Sequence, residues 1–204
     1  MGQRHQVYVV TKDENKCRAL GAFHLQCCYG MTAPTNLVRA ANLLFANKMR
    51  YDKWCEYSCR DSREIETVIK ATYGVDLDSR ISMVHNEAEY LVDGDNIMPS
   101  LGDNNDGASL IVIDNDKKEI RICLFTPGHL EGEYANNAPK NKAFSIDKYI
   151  SYYYSDSDRA DKDFASNFAK NLEILSNSKF KTVSQVELNK ILAYDLKSKQ
   201  KKGA

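Results

Sequence analysis

One stretch constrains the fold more than any other. Ala108-Ser109-Leu110-Ile111-Val112-Ile113-Asp114 is almost continuously apolar and rich in β-branched residues, so it reads as a buried strand. Asn115-Asp116-Lys117-Lys118 then turns the chain. Glu119-Ile120-Arg121-Ile122-Cys123-Leu124-Phe125 alternates polar and apolar before becoming wholly apolar, and Pro127-Gly128 ends it. Two strands joined by so short a polar turn predict a β-hairpin. A second is predicted from residues 5–12 and 16–28 around Asp13-Glu14-Asn15.

Helical patterns flank these strands. Pro34 suits an early helical position, and Leu37, Val38, Ala41, Leu44 and Phe45 follow at helical spacing, predicting a helix over 34–49. Ile65, Val68 and Ile69 predict a second over 61–73, capped by Asp61 or Ser62 and stopped by Gly74. Residues 50–60 read as partly helical, and 74–108 as irregular with a short strand near Ile81–Val84. Further helices are expected over 144–154, 159–176 and 183–196, the last capped by Thr182 or Ser184. The predicted class is α+β: an antiparallel sheet from two hairpins, packed with helices, and a helical C-terminal region. The organisation reads as a core domain over 1–127, a polar loop over 128–142, and a helical subdomain with a basic tail over 143–204.

Charge narrows the function classes. The 28 basic and 28 acidic residues cancel, so the basic excess of a nucleic-acid binder is missing. Only the tail from Lys197 to Lys202 offers such a contact, and a frayed, solvated end is the simpler account. No segment is apolar for long enough to cross a bilayer, and the first residues lack the apolar core of a signal peptide. A soluble intracellular protein is expected. Its cysteines, Cys17, Cys27, Cys28, Cys55, Cys59 and Cys123, then read as free thiols. Adjacent Cys27 and Cys28 point to opposite faces of a strand, which argues against a zinc knuckle.

The candidate site lies in two polar clusters within strands, Arg4-His5-Gln6 and His24-Leu25-Gln26. Imidazoles and amides are costly in a sheet core unless hydrogen-bonded. His5 or His24 is a candidate general acid or base, because imidazole titrates near neutral pH. Gln6 and Gln26 would orient a ligand or water, and Arg4 and Tyr29 would bind a phosphate or carboxylate. The simpler reading is a satisfied polar network that pins a hairpin to a neighbouring loop. Which faces of His5 and His24 meet depends on the strand register, which the sequence leaves open.

Other motifs are weaker. Gly102-Asp103-Asn104-Asn105-Asp106-Gly107 has the composition of a calcium loop, but Ala108 and Asp114 fall where an EF-hand needs glycine and glutamate. A tight turn fits better, and no metal or cofactor is assigned. No nucleophile elbow, catalytic-cysteine context, zinc-protease motif or phosphate-binding glycine pattern occurs, and Gly2 is no N-terminal nucleophile. Tyr149, Tyr152, Tyr153 and Tyr154 form an aromatic group, but the acids Asp156, Asp158, Asp161 and Asp163 beyond it disfavour a nucleic-acid platform.

The opening Met1-Gly2-Gln3-Arg4-His5-Gln6, with His24-x-Gln26-x-x-Tyr29-Gly30 and the later Asn104-Asn105-Asp106-Gly107, resembles a group of uncharacterised bacteriophage and microbial proteins. That group is expected to carry a second histidine where Phe23 stands and a tryptophan after the position of Gln26. The resemblance implies a phage origin and no mechanism. The expectation is a phage-type accessory or virion-associated protein, in the host cytoplasm or the virion, acting through a protein partner. The alternatives are a small hydrolase or nucleotide-processing enzyme built on the His/Gln cluster with Asn104, Asn105 and Asp106 at the rim, and a small-molecule binding module.

Overall fold

A computed structural model of the chain describes residues 4–13, 16–26, 32–50, 53–55, 62–73, 81–83, 92–93, 96–97, 107–126, 142–144, 149, 166, 169–170, 173–174 and 177–192. Its main sheet is built from β1 (Arg4–Asp13), β2 (Lys16–Gln26), β3 (Ile81–Met83), β6 (Ala108–Asp114), β7 (Glu119–Thr126), β8 (Lys142–Phe144) and β9 (Lys181–Thr182). The order is β3-β2-β1-β6-β7-β8, with β9 also on β7. Two short strands, β4 (Val92–Asp93) and β5 (Asn96–Ile97), pair separately. Among the described residues three continuous helices occur, α1 (Ala33–Lys48), α2 (Ser62–Tyr73) and α3 (Gln185–Leu192). The fold is α+β, and among the described residues no helix is long and apolar enough to cross a membrane.

The sheet is mixed, which corrects the expectation of an antiparallel one. β1 pairs antiparallel with β2, and β6 with β7, but β1 runs parallel to β6 and β7 parallel to β9. Parallel neighbours need a long crossover, and the chain between β2 and β6 supplies it, with α1 and α2 packing on one sheet face. The centre of the sheet is covered on both faces. Val7, Tyr8, Val9 and Val10 are all buried, as is every residue of β6. This is why β6 reads as a continuous apolar run and not as an alternation.

Each face has its own core. On one, Val7, Val9, Phe23, Leu25, Ile111 and Ile113 meet Leu37, Ala41 and Leu44 of α1 and Ile65 and Ile69 of α2. On the other, Tyr8, Val10, Leu110, Val112 and Phe125 meet Val183 and the buried side of α3, Leu188, Ile191 and Leu192. A bulge in β2 adjusts the faces: Val9 pairs with Gly21 and Val10 with Ala19, so Leu20 is skipped and joins the Phe23 side. A Cβ on Gly21 would stand 2.8 Å from the Phe23 ring, so any larger residue there would force that buried ring to shift.

The C-terminal region, expected to be helical from 143, also carries strand: Ala143 and Phe144 end β8. Tyr149, Ser166, Ala169, Lys170, Glu173 and Ile174 are helical, but Lys181 and Thr182 form β9 before α3 begins. The Glu187 amide donates to Ser184 Oγ at 3.2 Å, the bond expected of an N-cap serine. Of the loop predicted over 128–142, Lys142 belongs to β8 and the remainder lies outside the described residues, as does the Lys197–Lys202 tail.

Candidate functional site

His5 is fully buried on the face of β1 that α1 and α2 cover. Its Nε2 lies 2.8 Å from Ser109 Oγ and its Nδ1 3.3 Å from the Tyr149 hydroxyl. The ring lies face-on to Tyr73 and edge-on to Tyr149, each with centroids 6.4 Å apart. The register explains the meeting with Ser109. Parallel pairing sets Ser109 opposite Val7, one side-chain repeat along from His5 on the same face. Ser109 and Tyr149 are themselves wholly buried.

A neutral imidazole has one donor and one acceptor nitrogen, and a hydroxyl can serve either. Two proton orders therefore satisfy the array. In one, Tyr149 donates to Nδ1 and Nε2–H donates to Ser109. In the other, Ser109 donates to Nε2 and Nδ1–H donates to Tyr149. Only the second is the arrangement of an activated nucleophile, its base and an orienting group.

The other predicted site residues fall elsewhere. Gln6 is fully buried on the opposite face, where Tyr8 Oη donates to its Oε1. The Cα register sets His24 across from Gln6 and, on its other side, across from Ser82. His5 is across from Leu25, so positions 5 and 24 belong to opposite faces of the sheet. Arg4 pairs with Gln26 at the same end. Tyr29, Asn104, Asn105 and Asp106 lie outside the described residues. Gly107, the next residue in the chain, has φ 77°, and its carbonyl accepts the backbone N–H of Gln6 at 3.2 Å.

Two further polar clusters occupy the far end of the sheet. On the α3 side, fully buried Asp114 accepts from Arg121 at 3.0 Å, from Lys12 at 3.4 Å and from the Lys117 amide at 3.0 Å. Arg121 also pairs with Glu187 of α3 and, at 3.5 Å, with Glu119. Burial alone would raise the Asp114 pKa, but the Lys117 amide, Lys12 and Arg121 together hold it below its ordinary value.

On the α1 and α2 side, Lys48 at the end of α1 is 1% exposed. Its Nζ donates to the Cys55 carbonyl and, at 3.3 Å, to Asn115 Oδ1, and it sits 5.0 Å from the centre of the Trp54 ring. Asn115 Nδ2 donates to Thr11 Oγ1 at 2.9 Å and to Asp13 Oδ1 at 2.6 Å.

Among the described residues, no group of three His, Cys, Asp or Glu side chains converges as a metal site would require. Cys17, Cys55 and Cys123 are free thiols, and burial pushes the Cys123 thiol up to about 12.

Sequence reasoning missed Ser109 and the far-end clusters, and it placed Tyr149 in an aromatic group without its contact to His5. Ser109 is the one polar interruption between Ala108 and Ile113, the same kind of signal that marks His5. Lys48 falls four residues after Leu44, on the apolar stripe of α1. No family model, curated protein or solved structure matches this chain.

Proposed function

We propose that the chain is a phage-type accessory or virion-associated protein that works through protein contacts, in the host cytoplasm or the virion. One observation carries this reading: His5 is fully buried, with both ring nitrogens engaged by buried hydroxyls. A histidine so held contributes to fold specificity. The balanced charge and the N-terminal resemblance support the same reading.

A second reading, a small hydrolase, is favoured by the 2.8 Å contact between Ser109 Oγ and His5 Nε2. There Ser109 is the nucleophile, His5 the base and Tyr149 the orienting group. One experiment separates the two. The folded protein is treated with a fluorophosphonate probe, and crosslinking in the producing host is followed by mass spectrometry. The protein-contact reading expects an unlabelled serine and a defined partner at fixed stoichiometry. Labelling of wild type that disappears in a still-folded Ser109→Ala variant would overturn it.

A further inference from the structure

We propose that Lys48 and Asn115 form an intramolecular isopeptide bond, made by the protein itself with Asp13 as the proton carrier. The geometry gathers the three groups such a reaction needs. Lys48 presents a primary amine inside the protein, 3.3 Å from Asn115 Oδ1. The Asn115 side chain is fixed in one orientation. Its carbonyl faces the amine, while its nitrogen is held by Thr11 Oγ1 at 2.9 Å and Asp13 Oδ1 at 2.6 Å. Its backbone is fixed as well, because the Asn115 amide donates to the Lys12 carbonyl at 3.0 Å. The carboxylate thus stands at the leaving group.

Each step balances. Attack requires the neutral amine, the form of lysine that carries a free lone pair. Its lone pair attacks Asn115 Cγ, forming an N–C bond and moving the carbonyl electrons onto Oδ1. Both nitrogens then sit on one carbon, within reach of Asp13. The carboxylate takes a proton from the attacking nitrogen and passes it to Nδ2. The Cγ–Nδ2 bond breaks with its electron pair on nitrogen, and the carbonyl re-forms. An amine and a primary amide have become a secondary amide and ammonia. No oxidant, metal or cofactor enters the balance, and Asp13 ends as it began.

The surroundings suit the reaction. Lys48 is 1% and Asn115 8% exposed, so water competes poorly for the amide carbon. Orientation supplies the rest: two groups held in contact react at effective concentrations far above those in solution. The contact spans 67 residues of chain, from the end of α1 to the turn after β6. The product would be a covalent staple between the helical layer and the sheet.

Intact-mass spectrometry of the full chain, unfolded after purification, reads the bond directly. The expected result is a deficit of about 17 Da, the mass of ammonia, against the mass of the unmodified sequence. Protease mapping should return one branched peptide joining the segments around Lys48 and Asn115. Lys48→Arg and Asn115→Ala should each restore the full mass, and Asp13→Ala should slow or abolish the loss. A cooperatively folded wild type that keeps its full mass after prolonged incubation overturns the proposal. So does a deficit that persists in Lys48→Arg, since an asparagine that cyclises on its own backbone loses the same mass without needing the lysine.

Discussion

The two ends of the sheet solve the same problem by different means. At the end where β1 and β6 begin, His5, Ser109 and Tyr149 form a buried array linked by hydroxyls. At the other end, buried Asp114 and Arg121 join half-buried Lys12 and Glu187 in an array of full charges. Hydroxyls are small and reorient freely, so they complete an imidazole at little cost once packing brings them near. Full charges must be matched in number and geometry, because each one left unpaired in the interior is expensive. The charged end therefore couples more of the chain: β1, β6, β7 and α3 all contribute to it.

Breaking the charged end should give the largest effect. Asp114→Ala removes the acceptor shared by Arg121, Lys12 and the Lys117 amide. Removing one partner of a buried pair typically costs about 3–5 kcal/mol, a large part of a domain's stability. Urea unfolding at pH 7 reads the loss directly. The pH dependence has a definite sign. The Asp114 pKa is lowered in the folded protein, so its contribution is complete above the ordinary value of 3.8 and fades as pH falls through the lower, folded one. The wild type should therefore lose stability below about pH 4, where unfolded aspartates take up protons. Asp114→Ala should show a shallower fall over the same range. An equally steep fall would assign the acid sensitivity to other carboxylates.

The neutral end should respond less, and differently. His5→Ala removes a buried ring and leaves the Ser109 and Tyr149 hydroxyls without it. A cavity and two disrupted hydroxyls suggest a loss of about 2–4 kcal/mol. Ser109→Ala removes one small partner and should cost less than His5→Ala. The comparison sharpens in His5→Ala/Ser109→Ala. Its loss should fall short of the sum of the single losses, because the first substitution has already broken the shared bond. Strict additivity would mean that the 2.8 Å contact contributes nothing of its own.

The contrast between the ends also shows what the sequence could convey. Local periodicity located α1 and α2, and the apolar run and polar turn located β6 and β7. Polar residues in strand patterns pointed to His5 and Gln6 as buried and hydrogen-bonded. The partners of His5 were not legible, because 104 residues separate it from Ser109 and 144 from Tyr149. Such contacts follow from strand order, and strand order is a global property. The parallel pairing of β1 with β6 was hidden for the same reason: two short connections suggest two antiparallel pairs, and nothing local says how the pairs join. Alternating strands ordinarily turn their polar side, here that of Arg121, to solvent. Arg121 is buried because α3, from far along the chain, covers that face with Glu187 in position.

The smallest effect, and the finest probe of the charged end, lies in its turn. Lys118 ends the Asn115–Lys118 turn at φ 53°, in the left-handed region. A side chain there costs about 1–2 kcal/mol, and glycine avoids the clash. Glycine also gives the unfolded chain more freedom, which offsets about 0.4–1 kcal/mol of the relief. Lys118→Gly should therefore stabilise the fold by about 0.5–1 kcal/mol, measurable as a rise in denaturation midpoint without a change in slope. The same substitution in Asp114→Ala tests whether the carboxylate sets the turn. Asp114 Oδ1 fixes the turn through the Lys117 amide at 3.0 Å, next to the strained residue. Without that bond the turn can relax, Lys118 can leave the left-handed region, and glycine has less strain to relieve. The gain should shrink in that background. An undiminished gain would show that the turn holds its shape without the carboxylate, and that the charged end stabilises the strands and α3 alone.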